Sequence, residues 1–130
     1  MKFEGIYTPL IMPHHEDGSI DRDALAAMIE YLIGSGVHGL INGGSTGEYY
    51  AQSMEERLEI ATFVMDVINK RLPLIVGTVA IRLADSVAMA EHAAKIGASA
   101  ILVGSPPYSV PTERENALNA LAIDRAADLP

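Results

Sequence analysis

The sequence contains no cysteine in its 130 residues, which excludes a disulfide framework and a thiolate metal site. It is also poor in basic side chains: 9 Lys and Arg stand against 17 Asp and Glu, giving a formal net charge of −8. Nucleic acids and anionic membranes bind clustered positive charge, so we expect neither as a partner. No apolar run approaches the ~18 residues of a membrane-spanning helix, and the amino terminus does not resemble a signal peptide. We therefore expect a soluble, cytoplasmic protein.

The order of apolar runs predicts an α/β fold. Apolar residues make up 49% of the chain, and the length is typical of one domain. Short apolar runs alternate with amphipathic stretches and lie near residues 5–12, 37–41, 74–77 and 100–103. Their continuous apolar character is typical of parallel strands covered on both faces. The order β-α-β-α-β-α-β-α fits both a doubly wound sheet and a (β/α)8 barrel, and both carry functional loops where strands end.

Helix ends are marked by side-chain caps and glycines. Ser53 with Glu56 and Thr112 with Glu115 form capping boxes. The predicted helices are one capped by Asp21 that runs to about Ile33, one that follows Ser53, one over about 83–96 closed by Gly97, and one from Thr112 to about Ala127.

The loop at 42–48, NGGSTGE, follows the second predicted strand and is the most informative stretch. Backbone N–H groups can converge there on an anion, and the hydroxyls of Ser45 and Thr46 add two donors suited to a small carboxylate. No Gly-Lys-Ser/Thr follows, and the third glycine of a dinucleotide fingerprint is missing, so neither nucleotide motif applies. A plain strand–helix turn, with Ser45 and Thr46 capping the next helix, is the alternative.

The segment GGSTGE is similar to the G-[ST]-T-G-E signature of the dihydrodipicolinate synthase / N-acetylneuraminate lyase family. The segments GIYTPL, LPLIVGTVA and SPPYSVPTE resemble that family at matching places, in order along essentially the whole chain. The resemblance implies a (β/α)8 TIM barrel and a class I, Schiff-base-forming lyase or synthase that acts on pyruvate or a related 2-oxo acid without a cofactor. It does not distinguish the individual activities within the family.

The resemblance also implies roles for particular residues. Ser45 and Thr46 would hold the carboxylate of the 2-oxo acid, and Ser45 would join a proton relay. Tyr108 would join the same relay, often across a tight dimer interface, so a homo-oligomer is expected. The family often has two adjacent tyrosines at this loop, whereas this chain has Pro107 before Tyr108, and the match at Tyr108 rests on Pro111.

A complete barrel needs about 250 residues, so we expect residues 1–130 to be one domain, the amino-terminal half of a barrel from β1 to α4. The family's imine-forming lysine and main catalytic tyrosine belong to later strands. Lys2, Lys70 and Lys95 all lie away from the carboxyl ends of strands, where chemistry is expected. The chain ends at Leu129-Pro130, where a fifth strand would begin. We predict that residues 1–130 alone are inactive and pair with a carboxyl-terminal half-barrel or a second copy.

A different class of function remains open: a non-catalytic, self-associating half-barrel module that keeps a weak carboxylate site. His14 and His15 are expected to lie in a solvated loop, and we expect no metal site. Glu48 is expected to anchor its own loop by hydrogen bonds, and one of Tyr49 and Tyr50 is expected to pack.

Overall fold

The computed structural model describes residues 3–130, which form one sheet of four strands with four α-helices. The strands are β1 (Tyr7–Pro9), β2 (Gly39–Asn42), β3 (Leu74–Gly77) and β4 (Ala100–Leu102). The α-helices are α1 (Arg22–Gly34), α2 (Met54–Ile68), α3 (Leu83–Ile96) and α4 (Glu113–Ala127). The predicted alternation is confirmed, although β1 is shorter than the apolar run at 5–12.

The order of strands decides between the two architectures left open above. The sheet runs β1-β2-β3-β4, and every neighbouring pair is parallel. A doubly wound sheet reverses direction at a switch point, so consecutive strands there are not neighbours. The uninterrupted order is that of a barrel whose strands follow one another around the axis.

The sheet buries one face under the helices. Leu40 of β2 is in register with Leu74 of β3, and both are fully buried in the main core with Ile29 of α1 and Val64 of α2. The side chains that alternate with them point the other way. Leu102 on that second face is 45% exposed. Within residues 3–130, the second face is therefore only partly covered.

After α4 the chain returns to the free edge of β4. The backbone N–H of Ile101 donates a 2.9 Å hydrogen bond to the carbonyl oxygen of Pro130, and Leu129 packs against the core. The last two residues therefore lie beside β4.

An ion pair between Arg71 and Glu30 links α1 to the segment that precedes β3. Arg71 Nη1 donates a 2.8 Å hydrogen bond to Glu30 Oε2, and the same side chain donates to the backbone carbonyls of Val67 and Ile68. The bonds from Arg71 lower the pKa of the Glu30 carboxyl below its ordinary value of 4.5. This pair lies where the strands begin, at the opposite edge of the sheet from the loop at 42–48.

We expect Glu30→Gln to reduce the dependence of stability on acid pH. A carboxyl whose pKa is lowered in the folded protein contributes stability above its unfolded pKa, and that contribution is lost as pH falls through the folded pKa. The wild-type advantage over Glu30→Gln should therefore be present at neutral pH and be lost as the pH falls below 4.5 and through the lowered pKa of Glu30. Denaturant unfolding at several pH values measures it, with Glu91→Gln as the control, because Glu91 is an exposed residue of α3 that makes no hydrogen bond or ion pair within residues 3–130. An advantage that persists undiminished at acid pH would contradict the pairing.

Candidate active site

The loop after β2 is built from two consecutive 3-10 turns. Gly43 has a φ of +77°, which suits glycine, and the first turn covers Ser45–Gly47. Glu48 ends this turn in the left-handed conformation, with a φ of 52°, and the second turn, Tyr49–Ala51, leads to α2. Gln52 Nε2 donates a 2.8 Å hydrogen bond to the carbonyl oxygen of Gly47, so the loop is held from the α2 side.

The hydroxyls of Ser45 and Thr46 are exposed, and neither makes a hydrogen bond to another residue of 3–130. They do not cap the next helix, because Ser53 does so: its side chain accepts from the Glu56 N–H at 3.2 Å. The capping role considered for Ser45 and Thr46 is therefore wrong. Both hydroxyls lie at the carboxyl end of β2 and are available to a ligand.

Backbones approach closely at the ends of β2 and β3. A Cβ atom added to Gly77 would lie 2.2 Å from the carbonyl oxygen of Gly43, and one added to Gly43 would lie 3.1 Å from the carbonyl oxygen of Gly77. Contacts below 3.0 Å do not occur for real Cβ atoms, so position 77 requires glycine unless the backbone moves. The loop that carries Ser45 and Thr46 therefore begins in direct backbone contact with β3.

Arg57 of α2 is a buried cation beside this contact. Its side chain is 6% exposed, its Nη2 donates a 3.2 Å hydrogen bond to the carbonyl oxygen of Gly77, and its guanidinium lies 5.0 Å from the centre of the Tyr49 ring. Burial lowers the pKa of Arg57 below its usual value, while Tyr49 and Asp85 act in the opposite direction. Arg57 was not predicted from the sequence, although it lies three residues before buried Ile60 on the apolar face of α2.

Of the two adjacent tyrosines, Tyr49 packs its ring against the Arg57 guanidinium, whereas Tyr50 is 68% exposed. A cavity of about 340 Å³ opens above them. It is lined by Tyr49, Tyr50, Arg57, Arg82, Asp85 and Pro107, among others.

The Glu48 side chain makes no hydrogen bond within residues 3–130, contrary to expectation. Its backbone N–H instead donates to the Ser45 carbonyl at 3.1 Å.

Comparison with known proteins decides the family. The profile of the Dihydrodipicolinate synthetase family matches residues 2–130. The chain belongs to this family. It is 37% identical over 128 residues to a 4-hydroxy-tetrahydrodipicolinate synthase of Chelativorans sp., covering 98% of this chain and 44% of that protein. It is 43% identical over 110 residues to an N-acetylneuraminate lyase of Rhizobium meliloti, covering 83% of this chain and 36% of that protein.

Solved structures of the family share the fold. The chain superposes on YagE of E. coli K12, a family member solved in complex with pyruvate, with a TM-score of 0.95 and 33% identity. That match covers 98% of this chain and 43% of YagE. The chain thus spans less than half the length of the relatives it matches, and its four βα units correspond to half of a TIM barrel.

The Tyr108 side chain does not contact Ser45 within residues 3–130. It lies in the loop between β4 and α4, its ring is 100% exposed, and its φ is +72°. Such a backbone conformation is rare for a residue with a large side chain. Thr112 and Glu115 fix the end of this loop through the predicted capping box at the start of α4. The relay role of Tyr108 stays a prediction.

Lys70 and Lys95 lie near the amino ends of the strands, opposite the end of the sheet that carries Ser45 and Thr46. Lys70 is in the connection from α2 to β3, and Lys95 is in the last turn of α3, before β4. Both positions are near where strands begin, whereas Ser45 and Thr46 follow a strand end. Lys2 is outside the described residues. Within residues 3–130 there is no group of three or more ligating side chains that could hold a metal ion, and no helix is long and apolar enough to cross a membrane.

Proposed function

We propose that this chain supplies the carboxylate-binding loop of a Schiff-base-forming lyase or synthase that acts on pyruvate or a related 2-oxo acid. The observation that carries the proposal is the pair of free, adjacent hydroxyls of Ser45 and Thr46 at the carboxyl end of β2. Chemistry in TIM barrels is located at this edge. The pyruvate bound by YagE, a relative that shares the fold of nearly the whole chain, supports the substrate class.

Two hydroxyl donors suit a carboxylate, which accepts hydrogen bonds and keeps its charge. With the carboxylate fixed, the adjacent carbonyl carbon of the 2-oxo acid is oriented for attack by a lysine amine. The amine adds, water leaves, and the protonated imine then withdraws electrons from the neighbouring carbon. Lys70 and Lys95 lie at the wrong edge for this step, so we assign the imine lysine to the other half of the barrel.

Ser45 and Tyr108 would move protons during imine formation, with Ser45 the closer to the substrate carboxylate. Because the Tyr108 ring is fully exposed, we assign its contact with the site to a homo-oligomer, in which one copy contributes Tyr108 to its neighbour. Val110, which lies in the same loop and is 97% exposed, would be buried in the same contact between copies.

The proposal is tested by treating the protein with pyruvate and borohydride and measuring its intact mass. Borohydride reduces an imine to a stable amine, so a substrate adduct stays on the lysine. We expect one adduct, on a species heavier than the 13.9 kDa of residues 1–130. Peptide mapping should place it outside Lys2, Lys70 and Lys95. An adduct on one of these three lysines would show that the assignment of the imine lysine is wrong.

A non-catalytic, self-associating module is the second candidate, and the partly open second face of the sheet favours it. Leu102 is 45% exposed on that face, and exposed apolar surface next to a strand edge favours association. A 13.9 kDa species without an adduct, together with self-association in sedimentation, would support this candidate. A monomer at micromolar concentration would contradict it.

A further inference from the structure

Two complementary polar atoms are buried without a partner where β2 and β3 end. Within residues 3–130, Asn42 Oδ1 and Arg57 Nε have no hydrogen-bond partner. Asn42 is 2% exposed and Arg57 is 6% exposed, so bulk solvent does not solvate these two atoms. Buried polar groups are nearly always paired, and an unpaired one is destabilising. One of these atoms is an acceptor and the other is a donor.

Both side chains lie on the face of the sheet that α2 covers. Asn42 is the last residue of β2 and is in register with Val76, which is fully buried in the core. Arg57 reaches the same junction from α2, because its Nη2 donates to the carbonyl oxygen of Gly77, one residue after Val76. The backbone of Asn42 is beside Gly77 as well: a Cβ atom at Gly77 would lie 3.3 Å from the Asn42 carbonyl oxygen.

We propose that Asn42 and Arg57 form a buried polar pair bridged by one enclosed water molecule, which accepts from Arg57 Nε–H and donates to Asn42 Oδ1, and that the pair positions the loop carrying Ser45 and Thr46. The loop leaves β2 immediately after Asn42. It returns past Tyr49, whose ring lies against the Arg57 guanidinium. Arg57 thus holds both ends of the loop and the end of β3, which makes it a positioning residue rather than a catalytic one.

Arginine suits this role better than lysine. Its planar guanidinium can donate to two acceptors at fixed angles and stack on an aromatic ring at the same time. An ammonium has no fixed planar geometry, so it would not reproduce the contacts with Gly77, Asn42 and Tyr49 together. Because Nε is shielded from solvent, it is not a binding atom for a ligand that enters the neighbouring cavity.

The test compares Asn42→Leu, Arg57→Met and Arg57→Lys with the double variant Asn42→Leu/Arg57→Met in the native protein without ligand. We expect each single variant to shift the backbone amide resonances of Ser45 and Thr46. The double variant should shift them no further than the larger single effect, because both changes break one interaction. Arg57→Lys should resemble Arg57→Met. Additive shifts, or none, would overturn the proposed pair.

Asn42→Asp provides a second, independent measurement. With Arg57 present, the new carboxylate has a cationic partner, so the melting temperature should stay close to that of wild type. In the Arg57→Met background the same change buries an unpaired charge, and the variant should be far less stable. Equal effects of Asn42→Asp in both backgrounds would contradict the pair. Asn116→Asp, with and without Arg57→Met, is the matched control, because Asn116 Oδ1 on α4 is also buried without a partner in residues 3–130.

The functional consequence rests on the proposed function and is measured separately. We expect Arg57→Met and Asn42→Leu to raise the dissociation constant for pyruvate about tenfold, which corresponds to about 1.4 kcal/mol. If wild type does not bind pyruvate, the proposed function fails while the amide shifts still decide the pair. If wild type binds pyruvate and the variants bind it equally well, the positioning role fails while the proposed function stands.

Discussion

Replacing Thr46 with valine should weaken pyruvate binding by about 10- to 100-fold. Valine keeps the branched shape of threonine and removes its hydroxyl. A hydrogen bond to a charged group contributes about 1.5–3 kcal/mol, which corresponds to this range of affinity. Stability should barely change, because Thr46 is exposed and its hydroxyl makes no hydrogen bond within residues 3–130. Calorimetric titration with pyruvate measures the loss.

Thr62→Val is the matched control for Thr46→Val. Thr62 lies on α2, where its hydroxyl donates to the Leu58 carbonyl at 3.0 Å and contacts His92 Nε2 at 2.8 Å. The same chemical change there removes local hydrogen bonds and should leave the pyruvate dissociation constant unchanged. Equal affinity of wild type and Thr46→Val would show that this hydroxyl does not bind the carboxylate.

The fold was predictable because local signals agreed with one another. The capping boxes at Ser53 and Thr112 mark two helix starts, and Gly97 ends α3 in the left-handed conformation with a φ of 80°. The order of strands was not predictable from the residues, since crossover connections of similar length serve open sheets and barrels alike. The resemblance to a family, rather than the hydrophobic pattern, favoured the barrel.

The candidate site was predictable in part. The loop at 42–48 stood out because glycines and hydroxyls follow a strand, and the structure leaves the Ser45 and Thr46 hydroxyls exposed. Arg57 did not stand out, because a charged residue near a helix start is ordinarily solvated. Its burial depends on Gly77 and Tyr49, which are distant in sequence from each other. Asn42 was overlooked for the same reason: Arg57, the partner proposed for it, comes from another element.

Replacing Gly77 with alanine should destabilise the protein and displace the loop at 42–48. The added methyl group would lie 2.2 Å from the Gly43 carbonyl oxygen and 2.7 Å from its carbon, so the two backbones must separate. Overpacking of this kind costs about 1–3 kcal/mol. Because Gly77 also accepts the hydrogen bond from Arg57, the separation should disturb the Arg57 contacts. Pyruvate affinity should therefore fall together with stability.

Gly34→Ala separates this steric effect from the general effect of replacing glycine. Gly34 is the last residue of α1, and a Cβ atom there would meet nothing within 4 Å. Alanine is a better helix former than glycine, so Gly34→Ala should be neutral or stabilising by up to about 1 kcal/mol. Urea unfolding of both variants, compared at equal m-values, measures the difference. An unfolding midpoint of Gly77→Ala equal to that of wild type would mean that β2 and β3 can separate freely, and the close contact would then not fix the loop.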